Sequence, residues 1–349
     1  MTSAPSTAMP TAAPAPAFGT VLAPTMATVN AVDGVYGDLE LVPLAPIAMH
    51  PAAHALHYGS ACFEGLKAHR GADGVVRLFR VAQHAARLVD SADRLCLPVP
   101  DAQLVADAIV RTTAANLELT PDAPGALYLR PVLLGTLENI GAAAAPSDDA
   151  LLYVVASPVG DYFTRGDAGL RLWVETDLPR TTPQFGRIKT GANYAMALGL
   201  TRRVKASHGV DQVLFAPDGA VQETGASNVL LLSEDKVVTR ALDDSFLHGV
   251  TRDSVLTIAR DLGMGVEERD VSVDELYAWC RDGGEVALSG TAAVLTGVGA
   301  LVTEDGEVPV TDGRSGPVAA RLRDALQAIQ RGEAADPHGW TREVTAADV

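Results

Sequence analysis

Apolar positions along this chain switch between two periods. They follow the period of a strand in residues 76–79, 127–134 and 151–156, which therefore read as β-strands. Between them Val81, Ala85, Leu88, Ala92 and Leu95 recur at spacings of four and three, the single face of an amphipathic helix. A second helix is predicted over about 101–117. Together these form a first block of mixed strands and helices ending near Ser157. Residues 158–187 then carry Gly160, Gly166, Gly169, Pro179, Pro183 and Gly186 around one short strand, 170–175, a composition suited to an interdomain connection. In a second block, a helix over 194–207 is stopped by Gly209. A hairpin follows, with 213–215, a Pro217-Asp218-Gly219 turn and Val221. Further on come a strand at 228–232, a helix at 251–262 ended by Gly263, a strand at 286–289 and a last helix at 317–330. Ser272 and Glu275 read as a capping box opening a helix to about 281. The expected fold class is α/β (α+β) in two domains. Residues 1–25 form a disordered Ala/Pro-rich tail, 26–157 a small N-terminal domain, 158–187 the connection and 188–349 a large C-terminal domain.

At 349 residues the chain is long enough for two cores without disulfide or metal staples. It holds 27 Lys and Arg against 43 Asp and Glu, a net charge of −16, which argues against nucleic acid and anionic membranes as partners. Cys62, Cys96 and Cys280 are far apart and form no CxxC pair, so a reducing, cytoplasmic setting is expected. No apolar run approaches the ~18–20 residues of a membrane span, and the N-terminus lacks the regions of a signal peptide. No internal repeat is visible.

Five segments could carry chemistry. Lys189 lies just after the Gly/Pro-rich connector and just before a helix, where two domains should meet; it suits a Schiff-base lysine, and position alone leaves open a solvated one. Gly249-Val250-Thr251 opens a helix, with Thr251 as candidate N-cap, and either binds a phosphate or is an ordinary cap. Ser289-Gly290-Thr291-Ala292-Ala293 is a small-residue turn after a strand, able to bring N–H groups to an anion or to be a plain turn. Strand alternation puts Tyr128 and Arg130 on one face, either a carboxylate clamp or a wet strand face. Glu223 ends a strand, where a carboxylate could hold a pyridinium nitrogen or simply face water. His50, His54 and His57 mimic helical metal-ligand spacing, but Pro51 and its small neighbours argue for a turn or strand, and no metal site is expected. No P-loop, dinucleotide or GxSxG string is present.

In order along the chain, these segments resemble the branched-chain amino acid aminotransferases, the L-specific group of fold-type IV, or class IV, pyridoxal-phosphate enzymes. The resemblance runs from about Val29 to Trp340. It includes Leu56-His57-Tyr58-Gly59 with Phe63-Glu64-Gly65, Leu78-Phe79-Arg80, Arg87-Leu88 and Tyr128-Leu129-Arg130-Pro131. It continues through Ser157–Phe163, Lys189 with Asn193-Tyr194, Glu223 with Asn228, 249–252 and 290–292. It implies a two-domain homodimer whose large domain binds pyridoxal 5'-phosphate. Lys189 would form the Schiff base and shuttle the proton, and Glu223 would bind the pyridine nitrogen. Arg87, Val250, Thr251 and Thr291 would hold the phosphate. Tyr194 would contact the phenolic oxygen, and Leu247 would pack on the ring. Tyr128 and the Thr291–Ala292 backbone would position the substrate α-carboxylate, with Arg130 receiving the distal carboxylate of glutamate. Phe63, Tyr162 and Tyr194 would wall the aliphatic pocket, and Tyr58 would reach in from a second subunit.

The implied activity is ping-pong transfer of the amino group between L-leucine, L-isoleucine or L-valine and 2-oxoglutarate. The alternatives are a fold-type IV transaminase of a specialised pathway acting on another L-, D- or unusual amino acid, or a non-catalytic cofactor-binding protein. Departures from the family pattern bear on specificity. Val159 stands where some bacterial relatives carry a tryptophan, and Ala142 about where relatives carry a larger apolar residue. Ala192 replaces the second glycine before Asn193-Tyr194, which is tolerable if its φ is negative. Substrate preference, physiological direction and the role of the tail are not legible in the sequence.

Overall fold

The computed structural model describes residues 18–160 and 168–349. Two sheets organise them, and both mix with helices as expected. In the first block the strands are β1 (Thr25–Val32), β2 (Val35–Tyr36), β3 (Glu40–Pro43), β4 (Ala61–Phe63), β5 (Leu66–Arg70), β6 (Val76–Phe79), β7 (Ala126–Gly135) and β8 (Ala150–Val159). All pair antiparallel, β7 lying against β8 from Ala126 opposite Val159 to Gly135 opposite Ala150. Helices α1 (His54–Tyr58), α2 (Val81–Arg94) and α3 (Ala102–Ala115) belong to this block. The period-four-and-three face of α2 is buried as predicted: Ala85, Leu88 and Ala92 pack with Ile109 of α3 onto Leu127, Leu129 and Leu133 of β7. Strand alternation then turns Tyr128 and Arg130 to the opposite face. The core side of this sheet is covered by helices, and its other side is left for the site.

The second sheet holds β9 (Leu170–Glu175), β10 (Gln212–Phe215), β11 (Asn228–Leu232), β12 (Lys236–Thr239), β13 (Gly265–Glu268), β14 (Glu285–Gly290), β15 (Val294–Thr303) and β16 (Gly306–Pro309). Strand β11 is buried at every position, which is why its residues 229–232 read as an unbroken apolar run. Helices α4 (Gly191–His208), α5 (Val250–Asp261), α6 (Val273–Arg281) and α7 (Pro317–Arg331) accompany it. Leu256 of α5 and Leu322 and Leu326 of α7 pack on Leu230 and Ala287 of one face, and Leu276 of α6 packs with Val229 and Leu288 on the other. The last strand, β17 (Thr341–Val344), leaves this block and pairs with β6, with Thr341 opposite Phe79. The first sheet is therefore closed by residues from the expected C-terminal domain. Arg80 stitches the same seam: its side chain reaches Asp253 at 2.6 Å and Ser254 Oγ at 2.9 Å.

Several local expectations are corrected by the structure. His54 opens a short helix rather than a turn or strand, and its buried ring bonds Ser60 Oγ at 2.8 Å and the carbonyls of Ala142 and Ala145. Helix α4 starts three residues earlier than predicted, capped by Thr190, so Ala192 sits in its first turn without a positive φ. Ser272 caps α6 as expected, but Glu275 does not complete the box; its carboxylate is held by Arg269 at 2.7 and 3.0 Å. A charge-assisted fork outweighs a single bond to one N–H. Residues 18–25, expected within the tail, run along β8: Ala23 N–H donates to Ala156 O at 2.8 Å and Ser157 Oγ to Val21 O at 2.6 Å. Residues 1–17 lie outside the described residues.

Candidate active site

Between the Tyr128 face of the first sheet and the edge of the second lies a cavity of about 360 Å³, within the usual range for a small-molecule site. Lys189 stands in its wall, between the connection and α4. The backbone there is pinned to the first block, since Phe63 N–H donates to Lys189 O at 3.0 Å and Lys189 N–H to Ser91 Oγ at 3.2 Å. Its Nζ donates to the Tyr194 hydroxyl at 3.2 Å and lies 5.3 Å from the Phe63 ring centroid. Lys189 and Tyr194 are five residues apart, but the cap at Thr190 folds the chain back so that the two side chains meet. Burial alone would raise the Tyr194 phenol; the Lys189 ammonium, with Arg180 beyond it, brings it below its ordinary value.

Glu223 marks one end of the cavity and is only 2% exposed. It follows the Pro217–Gly219 turn, where Phe215 N–H bonds Glu223 O at 3.0 Å, and precedes a tight turn held by Thr224 Oγ1 to Ser227 N–H at 3.0 Å. Its Oε1 accepts from Leu247 N–H at 3.1 Å and from the Arg180 guanidinium, and its Oε2 from Asn228 Nδ2 at 3.2 Å. Burial pushes this carboxyl up to about 7 against the pull of Arg180, the Leu247 N–H, Lys189 and Arg87.

The other end is rich in donors. Arg87, from α2, is gripped by Glu64 through Nε at 2.6 Å and Nη2 at 2.9 Å, and its Nη1 donates to His248 O at 2.9 Å. Those three bonds leave one N–H on each terminal nitrogen for a ligand. Glu64 is fully buried; desolvation would raise it, yet Arg87 and His84 hold it well below the usual carboxylate range. The same pairing raises Arg87 against the effect of its own burial, while burial lowers His84. Beside Arg87 lies the first turn of α5. Its N-cap is Gly249, not Thr251; Thr251 occupies the first turn instead. A Cβ at Gly249 would meet Asn228 Oδ1 at 2.1 Å, so only glycine lets the helix start this close to Glu223's neighbour. The 290–293 turn approaches from the third side, and Lys67 Nζ ties it to the first sheet through Ala292 O at 2.8 Å.

On the wall formed by β7, Arg130 Nη2 donates to the Tyr128 hydroxyl at 2.8 Å, and Arg130 stacks over the Phe63 ring at 4.7 Å. Val159 packs behind Tyr128 with Ala126. Of the residues singled out in the sequence, Phe63, Arg87, Tyr128, Arg130, Lys189, Tyr194, Glu223, Leu247, Val250, Thr251, Thr291 and Ala292 all line this one cavity. Tyr58 does not: it is 37% exposed and its hydroxyl donates to Ile140 O, away from the cavity. Tyr162 lies outside the described residues.

Three residues at the site, Phe18, Arg180 and Lys67, went unseen in the sequence, and Glu64 was named there only within the Phe63-Glu64-Gly65 string, with no role. Phe18 lines the cavity, its ring edge-on to Tyr128 at 5.0 Å. It is the first aromatic after an aromatic-free stretch, the one signal that could have marked it. Arg180, Glu64 and Lys67 meet their partners only through the fold.

The cavity has the donor set for pyridoxal phosphate. A cation and helix N–H groups meet at one end, a buried carboxylate stands at the other, and a lysine lies between. Ser289 Oγ, buried in the same lining, has no hydrogen-bond partner.

The family model for class IV amino-transferases matches residues 61–301. A probable branched-chain-amino-acid aminotransferase of Streptomyces coelicolor is 40% identical over 337 residues, covering 93% of this chain and 91% of that protein. Branched-chain-amino-acid aminotransferase 2 of Bacillus subtilis is 36% identical over 338 residues, covering 94% of this chain and 92% of that protein. The crystal structure of the T.th. branched-chain amino acid aminotransferase with pyridoxamine 5'-phosphate superposes with a TM-score of 0.74 at 28% identity, covering 90% of this chain and 98% of that one.

Proposed function

The chain belongs to the class IV aminotransferase family, and from that premise we propose that it transfers the amino group between L-leucine, L-isoleucine or L-valine and 2-oxoglutarate, with pyridoxal 5'-phosphate as cofactor. The observation that carries this reading is the convergence of Lys189, buried Glu223, the Arg87–α5 anion end and the Tyr128–Arg130 wall on one cavity.

When bound, the cofactor supplies an electron sink that makes the Cα proton of an amino acid removable. The chain's residues do the rest. Arg87, the first N–H groups of α5, Thr251 and the Thr291 turn take the phosphate. Glu223 would receive the ring nitrogen, and Leu247 would pack on the ring. Tyr194 faces the phenolic oxygen and also holds Lys189 Nζ at a fixed position. Lys189, in its unprotonated form, would take the substrate Cα proton and deliver a proton on the cofactor side of the amino nitrogen. Tyr128 and the Thr291–Ala292 backbone hold the substrate α-carboxylate. Phe63 gives an apolar wall that accepts leucine-like chains. Arg130, stacked on Phe63 at its rim, offers its guanidinium to the distal carboxylate of glutamate. One pocket thus serves both amino donors, because an apolar chain gains nothing from the arginine and a carboxylate does.

We assign the working form as a cytoplasmic homodimer in which Tyr58, exposed here, enters the pocket of a second subunit. The three free cysteines support a reducing compartment. Among the described residues no helix is long and apolar enough to cross a membrane.

The test is glutamate formation from 2-oxoglutarate by cofactor-loaded protein, offered the three L-branched substrates beside D-leucine and D-alanine. Activity with the L forms alone is expected. Activity confined to a D form would overturn the substrate assignment, and turnover by Lys189→Ala would overturn the role of the lysine.

A further inference from the structure

We propose that Arg180 is a positioning residue for Glu223, holding its carboxylate anionic and aimed at the ring-nitrogen end of the cavity; the inference rests on the pyridoxal-phosphate reading above. Both side chains are buried, Arg180 at 3% and Glu223 at 2% exposure, and the guanidinium contacts Oε1 directly. Among the described residues Arg180 Nε is buried with no hydrogen-bond partner, so the fold does not satisfy all of this arginine's donors. Sinking such a cation costs desolvation that an apolar side chain of the same length would avoid. What the arginine contributes is charge beside Glu223.

The surroundings fix the pair. Asn193 clamps the connection that carries Arg180, donating to Phe185 O at 2.9 Å and Ile188 O at 2.8 Å and accepting from Thr181 Oγ1 at 2.8 Å. Oε1 of Glu223 already has two donors, Arg180 and Leu247 N–H, whereas Oε2 has only Asn228. Oε2 therefore keeps an acceptor position for the ring nitrogen. Among the described residues, the charged and titratable groups acting on this carboxyl are Arg180 from the connection, Lys189 just after it, Arg87 from α2 and Tyr194 from α4. Arg180 is the one cation among the described residues that touches it. Burial drives Glu223 toward the neutral form even with that cation present, to about 7. Without it, the proton shared between the ring nitrogen and Glu223 should move onto the carboxylate, and the electron sink weakens.

Protein loaded with ring-nitrogen-15 pyridoxal phosphate separates these cases. In the wild-type holoenzyme the ring nitrogen should give the chemical shift of a protonated pyridine from pH 6 to pH 9. Arg180→Met should shift it to the unprotonated position and lower kcat about tenfold or more, with KM for leucine little changed. Arg180→Lys should restore the protonated signal. An unprotonated ring nitrogen in the wild type, or a wild-type signal in a folded, loaded Arg180→Met, overturns the proposal. Should Arg180→Met not fold, the wild-type spectrum and Arg180→Lys still decide it. Failure of the wild type to bind the cofactor at all would instead overturn the reading on which the proposal rests.

Discussion

Replacing Gly65 by alanine should disable the substrate end of the cavity while leaving the cofactor end intact. Gly65 has no positive φ, so the cost is purely steric. A Cβ there would lie 1.9 Å from the Tyr128 hydroxyl and 2.8 Å from its Cζ. Carbon and oxygen need roughly 3.5 Å, so the tip of the ring must retreat by about 1.5 Å. It is hemmed in by Phe18 at 5.0 Å between ring centroids and by Val159 and Ala126. Overpacking of this kind costs about 1–3 kcal/mol in stability. The retreat also breaks the 2.8 Å bond from Arg130. Misplacing a substrate-holding group by ~1 Å costs on the order of 100-fold in rate, or about 2.7 kcal/mol. Steady-state kinetics should therefore show kcat/KM for L-leucine reduced about 100-fold, and urea unfolding a loss of about 1–3 kcal/mol. Cofactor affinity, read from its absorbance, should stay within about threefold, because Lys189, Glu223 and Arg87 are not displaced. In Gly65→Ala with Tyr128→Phe the hydroxyl clash is gone but the 2.8 Å ring contact remains, so relief should be partial. A folded Gly65→Ala with wild-type kcat/KM would refute the placement of Tyr128 at the substrate.

Two further outcomes follow from the buried charges. Glu64→Gln removes the anion between Arg87 and His84 and leaves a buried guanidinium, at a cost of about 3–5 kcal/mol in unfolding experiments together with weakened cofactor binding. Because the Glu64 carboxyl is depressed in the folded state, its contribution is complete above the ordinary carboxylate range and is lost as pH falls below about 4.5. The gap in thermal midpoint between wild type and variant should narrow from pH 6 to pH 3, and a constant gap would contradict the linkage. Lys67→Met frees the Ala292 carbonyl from its 2.8 Å strut and should raise KM for both amino donors by roughly tenfold, since a charged hydrogen bond contributes ~1.5–3 kcal/mol. Unchanged KM would show that the 290–293 turn holds its shape without the lysine.

The chemistry-bearing residues were legible where function demands a residue type at a local address. A lysine before a helix, a carboxylate after a turn, and small residues at a helix start and at a strand end are all short-range statements. Lys189, Glu223, Thr251 and Thr291 could therefore be singled out as candidates from the chain, while their roles came only from the resemblance to a family. Periodicity did the same for the elements, because burial of one face is written every second residue in β7 and every three or four in α2. The misjudged details share a cause. His54 starts a helix after Pro51 because its ring finds Ser60 and two distant carbonyls, and Glu275 leaves its box because Arg269 offers a fork.

What the sequence by itself determined is thus the helices α2 to α7, the strands β6 to β11 and β14, and the candidate reactive side chains; β1 to β5, β12, β13, β15 to β17 and the short α1 were not read from it. Only the tertiary structure decided how those side chains are held. Lys67 and Ala292 are 225 positions apart, and Arg87 and His248 are 161 apart. No local pattern encodes such pairs, since each half looks like an ordinary charged or small residue until the sheets close on each other. The return of β17 to β6 and the seating of Phe18 against Tyr128 are of the same kind. Their partners are fixed by burial shared between distant segments, and that sharing exists only once the two sheets have packed.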